Sequence, residues 1–242
     1  MTIEYDQITS YHYSAYRPPL HHLILSKCIT IDSKLDIGLD VGCGTGQSSI
    51  ALTNYCEKVV GIEPSEEMIK KSIKHSQVQY LLYNGIDLNL SKNKFDIISF
   101  AGSLYYAKSQ KLLDDVIRVS KHRAKIIIYD FDIKLEEILM NLIGRFKTGN
   151  DQRYNHQEDF SGFMQGNLQK EKTSKEHVQL KISNSEVVHL LLARKDFYLI
   201  LSEKFGKDHP EKNIKTKLKE LFPIGSIELK VNIYYTVYGV IK

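Results

Sequence analysis

The stretch LDVGCGTG, residues Leu39–Gly46, combines an apolar run with three closely spaced glycines. The apolar residues predict a buried strand, and the glycines predict a tight turn into a helix that begins near Thr45. Glycine tolerates a positive φ, and it lets backbone N–H groups approach a ligand without an intervening Cβ. The stretch therefore predicts a site for a polar or anionic ligand at the end of a strand. A tight turn without any ligand is the alternative.

The segments around this turn predict a doubly wound α/β fold. Short runs rich in β-branched and aromatic residues alternate with amphipathic segments, which is typical of a parallel sheet covered by helices on both faces. The predicted strands are Asp36–Gly42, Glu57–Glu63, Val78–Asn84, Phe95–Ala101 and Lys125–Phe131, and the predicted helices are Thr45–Tyr55, Ser65–Ser76 and Lys108–Val119. Between Val78 and Ala101 we expect a loop with at most one helical turn.

The pattern changes after Phe131, where a polar run from Gly144 to about Lys175 interrupts the alternation. The closing segment SIELKVNIYYTVYGVIK alternates apolar and polar residues, which predicts a long antiparallel strand. We therefore expect a Rossmann-like sheet of seven strands, mostly parallel, in a single domain of residues 1–242. The other predicted elements are the helices Leu135–Ile143, Ser185–Phe205 and Pro210–Phe222 and the strand His177–Ser183.

Composition narrows the class of protein. The 242 residues carry a net charge of +4, but lysine is interspersed with acidic residues, so nucleic-acid binding is not expected. No basic leader and no run of about eighteen apolar residues is present, which predicts neither a signal peptide nor a membrane span. Cys28, Cys43 and Cys56 lack a CxxC spacing. They predict reduced thiols in a cytoplasmic protein without a metal site.

A glycine-rich turn after a buried strand suits two kinds of ligand. They are a nicotinamide dinucleotide and S-adenosylmethionine. The dinucleotide fingerprint is G-x-G-x-x-G, whereas Gly42, Gly44 and Gly46 form G-x-G-x-G. Glu63 ends the second predicted strand, where a carboxylate can accept hydrogen bonds from both hydroxyls of a ribose. A solvated glutamate without a ligand is the alternative at this position.

The chain resembles the class I S-adenosylmethionine-dependent methyltransferases over about Leu35–Phe131. The resemblance lies in DVGCGTGQSS (40–49), GIEPSEEMIKKSI (61–73), FDIISFAGSLYYAKSQKLLDDVIRVSK (95–121) and KIIIYDF (125–131). Upstream, YHYSAYRPPLHHLI (11–24) is similar to the N-terminal lid of the trans-aconitate methyltransferase-like, or type 11, branch. This resemblance implies a lid at 1–30, a cofactor-binding core at 35–131, an insert near the acceptor pocket at 132–175, and C-terminal strands and helices at 176–242.

The same resemblance implies residues for S-adenosylmethionine. The glycine turn would pass beneath its methionine and ribose parts, and Glu63 would hold the ribose. Many relatives have an aspartate at the end of the third strand for the adenine, where this chain has Asn84 or Gly85, so the backbone near Ile86 is expected to serve. The implied cofactor-binding residues are Arg17 (carboxylate), Asp40 (turn, or amino group through water), Gly42, Gly44, Gly46, Glu63, Pro64 and Met68 (adenine), Ile86, and Phe100 and Ala101 (methionine side).

A methyl group on a sulfonium is already activated, so its transfer requires mainly an aligned nucleophile and the exclusion of water. A general base is needed only when the attacking amine or hydroxyl loses a proton, and a carboxylate acceptor needs none. The sequence predicts methyl transfer to a small molecule, with carboxylates among the candidates, and assigns no catalytic residue. A catalytically silent binder and a nicotinamide-dependent oxidoreductase are the alternatives, and monomer or dimer stays open. The candidate acceptor-facing residues are Tyr13, Tyr16, Tyr105, Tyr106 and His156.

Overall fold

The computed structural model describes residues 7–146, 154–163, 166–207 and 209–242. The chain divides into two compact units that interleave along the sequence. The glycine-turn unit draws on Pro19–Phe131, Tyr154–Glu176 and Ile233–Lys242, and the helical unit draws on Met1–Pro18, Asp132–Arg153 and His177–Asn232. The single-domain organisation expected from the sequence stays a prediction.

The strands form a seven-stranded sheet with the order β3-β2-β1-β4-β5-β7-β6. β1 pairs in parallel with both β2 and β4, β2 with β3, and β4 with β5. The C-terminal strands are antiparallel, which confirms the predicted doubly wound sheet. The strands are β1 Leu35–Val41, β2 Cys56–Glu63, β3 Val78–Leu82, β4 Phe95–Ala101, β5 Ser120–Ile133, β6 Leu168–Ser183 and β7 Ser226–Val240.

Most helices lie close to their predicted positions, but several are shorter. The Ser65 hydroxyl accepts a hydrogen bond from the backbone N–H of Met68 and caps α4, as its position before a helical segment suggests. Residues 83–94 hold no helix, in agreement with the sequence. The helices are α1 Gln7–Ala15, α2 Leu20–Cys28, α3 Gln47–Leu52, α4 Glu66–Lys70, α5 Leu104–Ala107, α6 Gln110–Val119, α7 Glu136–Ile143, α8 Asn184–Leu192, α9 Lys195–Phe205 and α10 Pro210–Leu221.

Two predictions for the C-terminal half were wrong. β6 begins at Leu168 rather than His177, because its outer positions carry charged side chains that conceal the strand pattern. The predicted helix Ser185–Phe205 is two helices, since Arg194 adopts an extended backbone between them. The Arg194 guanidinium binds the carboxylates of Glu136 at 3.1 Å and Asp196 at 2.8 Å, which holds this break in place.

The helical unit has its own apolar core and a pair of neighbouring histidines, of which His12 is buried and His189 half-buried. Leu139, Leu191 and Phe197 are fully buried in this core. The Nδ1 atoms of His12 on α1 and His189 on α8 lie 3.0 Å apart. Burial lowers the pKa of both imidazoles, because it disfavours their charged form.

Acidification is therefore expected to destabilise the helical unit. An unfolded histidine titrates near pH 6.5, so a pair with lowered pKa stabilises the fold fully above that pH and loses the contribution as pH falls below about 6.5. Glu211 on α10 opposes this shift at both histidines, and Lys215 reinforces it at His189. Urea unfolding at pH 7.5 and 5.5 should show a smaller loss of stability for His12→Gln/His189→Gln than for the parent chain. Equal losses would contradict the expectation.

Candidate functional site

The glycine turn joins β1 to α3 in the glycine-turn unit. Gly42, Gly44 and Gly46 have φ of +73°, +55° and +97°, a region that other residues rarely adopt. The N–H groups of Gly42 and Cys43 both donate to the Ile62 carbonyl, at 2.8 and 3.0 Å. These bonds fix the turn against the carboxyl end of β2, so the predicted strand–turn–helix arrangement is present.

The three glycines differ in what surrounds them. A Cβ on Gly46 would overlap the Tyr80 ring, and a Cβ on Gly42 would overlap the Ser103 side chain. A Cβ on Gly44 would meet no atom within 4 Å. Gly42 and Gly46 are therefore required by the packing of the protein itself, whereas Gly44 borders open space that a ligand could fill.

Asp40 lies beneath the turn and is completely buried. Its Oδ2 accepts hydrogen bonds from the hydroxyls of Ser48 at 2.6 Å and Ser49 at 2.7 Å, and its Oδ1 accepts from Ser99 at 2.8 Å. Burial raises the pKa of this carboxyl, and the three hydroxyls oppose that rise. Asp40 thus joins β1, α3 and β4 beneath the turn, and its part towards a cofactor stays a prediction.

Glu63 lies at the end of β2 and is half-buried. Its Oε2 accepts a hydrogen bond from the N–H of Gly44 at 3.0 Å, and its Oε1 accepts from the N–H of Ser65 at 3.1 Å. Each oxygen of an ionised carboxylate can accept about two hydrogen bonds, so both oxygens keep a site for a further donor. The carboxylate is held beside the open space at Gly44.

A pocket of about 210 Å³ opens beside the ends of β2 and β3 and is lined by Ile62, Leu81–Asn84 and Asp87–Leu90. Asn84 Oδ1 accepts from the N–H groups of Ile86 and Asp87, both at 2.9 Å. The backbone N–H of Ile86, which was expected to contact an adenine, therefore already donates to Asn84. The exposed side chain of Ile86 remains for a contact with a ligand. Of the other residues predicted here, Pro64 is exposed and Met68 is half-buried.

The end of β4 carries Phe100 and Ala101, which differ in burial. Phe100 is fully buried and packs edge-on against Phe160 with ring centroids 5.7 Å apart. Ala101 is half-buried and precedes Gly102, whose φ is +70°. The part of Phe100 and Ala101 on the methionine side of a cofactor stays a prediction.

A polar cluster lies near the end of β5, and the sequence analysis missed two of its members, Asp130 and Tyr154. Its other members, His156, Tyr105 and Tyr106, were among the predicted residues. Asp130 Oδ2 binds the Tyr154 hydroxyl at 2.9 Å and His156 Nδ1 at 2.8 Å. Burial and the Asp130 charge raise the pKa of Tyr154, so its hydroxyl remains a donor. Tyr105 and Tyr106 contact the Tyr154 ring with centroids 4.6 and 5.9 Å away. The sequence does contain a signal for this cluster, because Asp130 directly follows the buried run KIIIY (125–129).

The predicted lid residues belong to the helical unit. Arg17 donates to the Tyr13 hydroxyl at 2.6 Å, and its guanidinium lies 3.7 Å from the centre of that ring. Tyr16 packs against the apolar core of this unit, and burial raises its pKa to about 12. Their roles towards a cofactor or an acceptor stay predictions.

The described residues offer neither a metal site nor a membrane-spanning helix. Within these residues, no group of three histidine, cysteine or acidic side chains is arranged to hold a metal ion. No helix among them has the length and apolar character needed to cross a membrane. Residues 1–6, 147–153, 164–165 and 208 lie outside the description, and they include part of the expected lid and insert.

Comparison with known proteins gives a family for the centre of the chain. Residues 39–128 match a family model described as a methyltransferase domain. This match confirms the predicted resemblance to the type 11 branch. A candidate methyltransferase of Dictyostelium discoideum is 28% identical over 118 residues, covering 49% of this chain and 44% of that protein. The chain thus spans about half the length of the curated relatives that it matches.

Solved structures resemble the chain over more of its length. A candidate type II methyltransferase from Anaeromyxobacter dehalogenans aligns with a TM-score of 0.61 at 16% identity, covering 93% of this chain and 98% of that one. The [4+2]-cyclase SpnF aligns with a TM-score of 0.52 at 13% identity, covering 92% and 80%. At these identities the likeness establishes the fold and leaves the reaction to be argued from the site.

Proposed function

Residues 39–128 form a methyltransferase domain of the class I S-adenosylmethionine-dependent type, and from this premise we propose that the chain transfers a methyl group from S-adenosylmethionine to a small molecule. One observation carries the proposal. The Glu63 carboxylate and the open side of Gly44 lie together at the ends of two adjacent parallel strands. Open α/β sheets bind their ligands at this edge.

The residues present suit the proposed cofactor. Both oxygens of Glu63 can accept from ribose hydroxyls, and Gly44 leaves room for the ribose and methionine parts above the turn. The pocket beside β3, with Leu82 and Ile86 exposed nearby, offers apolar surface for a base. Asp40 acts indirectly, since its oxygens are occupied by three serine hydroxyls. Pro64 and Met68 remain proposed neighbours of the adenine, and Arg17 of the carboxylate.

When bound, S-adenosylmethionine supplies a methyl group on a positively charged sulfur, which leaves as a neutral thioether. The contribution of this chain is to align the acceptor with that methyl group and to exclude water. We propose hydroxyl, amine and carboxylate compounds as the acceptor classes to be tested.

Calorimetric titration tests the cofactor. S-adenosylmethionine and S-adenosylhomocysteine should bind the purified chain, and NADH should not. Binding of NADH alone would reject the proposal in favour of an oxidoreductase. Turnover of methyl-labelled S-adenosylmethionine with a panel of phenols, amines and carboxylic acids then separates an enzyme from a catalytically silent binder.

Glu63→Ala is expected to weaken S-adenosylmethionine binding at least tenfold, about 1.4 kcal/mol, because two charge-assisted hydrogen bonds are lost. Calorimetry measures the change. Glu67→Ala is the matched control, since Glu67 is an exposed carboxylate on the same segment. Equal affinities for the Glu63 variant and the parent would remove this residue from the site.

A further inference from the structure

We infer that His156 is the general base of the proposed methyl transfer, that Asp130 positions it, and that the acceptor atom is therefore one that loses a proton, such as a hydroxyl oxygen or an amine nitrogen. The inference rests on the proposed function. It goes further because it assigns a catalytic residue and favours protic acceptors over carboxylates.

The location of the pair is the first argument. Asp130 ends the buried part of β5, and a Cβ on Gly102, at the end of β4, would lie 3.1 Å from its Oδ1. The next residue, Ser103, packs against Gly42 and donates to the Val41 carbonyl. A short chain of contacts thus connects the histidine–aspartate pair to the glycine turn. All of these residues belong to the glycine-turn unit.

The orientation of the imidazole is the second argument. His156 Nδ1 lies 2.8 Å from Asp130 Oδ2, and the ring stacks on Tyr234 at an angle of 9° with centroids 5.6 Å apart. Asp130 Oδ1 accepts from the Phe131 N–H at 2.7 Å, so the carboxylate is itself fixed. A carboxylate that accepts from Nδ1–H holds the neutral imidazole as the tautomer with a free lone pair on Nε2.

The inference is also supported by the hydrogen bonding of His156 Nε2 and by the charge partners of Asp130. The His156 side chain is 31% exposed, and among the described residues its Nε2 has no hydrogen-bond partner. Asp130 forms no ion pair with a lysine or arginine in the described part of the chain, and His156 is the group that would carry the balancing charge.

In the proposed methyl transfer, each bond that forms is matched by a bond that breaks. The acceptor oxygen or nitrogen gives an electron pair to the methyl carbon, and the carbon–sulfur bond breaks with its pair passing to sulfur. The proton of the acceptor passes to His156 Nε2, and the resulting imidazolium is stabilised by the Asp130 carboxylate. The Tyr154 hydroxyl, which donates to the same carboxylate oxygen, holds Asp130 in place. Release of the proton to water restores the base.

Chemical modification tests the place of His156 without a known acceptor. Diethyl pyrocarbonate carbethoxylates neutral, accessible imidazole nitrogens, and peptide mass spectrometry measures the rate at each histidine. Saturating sinefungin, which carries an amine where the cofactor carries its methyl, should slow the modification of His156 at least fivefold. It should leave His122, an exposed histidine near the opposite end of β5, unchanged. Equal rates at His156 with and without bound sinefungin would overturn the inference alone, whereas failure of sinefungin and S-adenosylmethionine to bind would overturn the proposed function and the inference with it.

Nitrogen NMR of the ¹⁵N-histidine-labelled chain tests the role of Asp130. The parent should show His156 as the Nδ1–H tautomer, and Asp130→Asn should shift its ring nitrogens towards a mixture of tautomers. His156→Gln should keep the affinity for S-adenosylmethionine within about twofold, which separates a lost base from a lost fold. An Nε2–H tautomer in the parent chain, or an unchanged spectrum in Asp130→Asn, would refute the assignment.

Discussion

Gly44→Ala is expected to weaken S-adenosylmethionine binding about a hundredfold, close to 2.7 kcal/mol, while the chain remains folded. The added Cβ meets no protein atom within 4 Å, so it projects into the space proposed for the cofactor. The backbone of Gly44 has φ of +55°, and an alanine in this region costs only about 1 kcal/mol. Binding should therefore suffer far more than stability. Calorimetry and urea unfolding measure the two effects separately.

Gly225→Ala is the matched control for this experiment. Gly225 also has a positive φ, of +78°, and a Cβ there also meets no atom within 4 Å, but it lies in the helical unit. Its replacement should reduce stability by a similar amount and leave the affinity unchanged. If Gly44→Ala bound the cofactor as tightly as the parent, the ligand would not lie over the turn.

Asp40→Ala is expected to lower the free energy of unfolding by about 3 kcal/mol. Removing the carboxylate leaves the hydroxyls of Ser48, Ser49 and Ser99 without their acceptor in a buried site, and each unsatisfied group costs roughly 1–3 kcal/mol. Rotation of some hydroxyls towards backbone carbonyls reduces the sum, since Ser99 Oγ already lies 3.5 Å from the Leu39 carbonyl. Urea unfolding followed by circular dichroism measures the loss.

Asp40→Asn separates hydrogen bonding from charge. The amide keeps one acceptor oxygen, and its NH₂ can donate to a serine hydroxyl that turns around, so a loss below about 1 kcal/mol is expected. Because burial raises the pKa of Asp40, the ionised form destabilises the fold as pH rises above the unfolded value of about 3.8. The asparagine variant should lack this dependence. A loss in Asp40→Asn as large as in Asp40→Ala would show that charge, rather than hydrogen bonding, holds the turn.

The sheet could be predicted because its information is local. Each of the first five strands contains a short apolar run, and the capping serine at Ser65 is a signal of a few residues. The break at Arg194 could not be predicted in this way. Besides Asp196, which is two residues away, the Arg194 guanidinium binds Glu136, a residue far along the chain that reaches it only in the folded unit.

The candidate site likewise contains some residues that could be predicted from the sequence and others that could not. Gly44 and Glu63 each belong to a short continuous motif. Their part in the candidate site could therefore be predicted from the sequence alone. Asp130, Tyr154 and His156 come together from two separate segments, and no periodicity relates their positions. His156 was singled out as a polar residue in a polar run, but its partner became evident only from the fold.

The position of β6 has a consequence for the behaviour of the protein at high concentration. β6 is the last strand of the sheet, and an edge strand presents unpaired N–H and C=O groups to which a strand of another molecule could add. Lys170, Glu171, Lys172 and Lys175 project charge along this edge from exposed positions. A second copy pairing with this edge would strip water from several of these charged side chains. The residues that conceal β6 in the sequence thus protect the sheet against aggregation through its open edge.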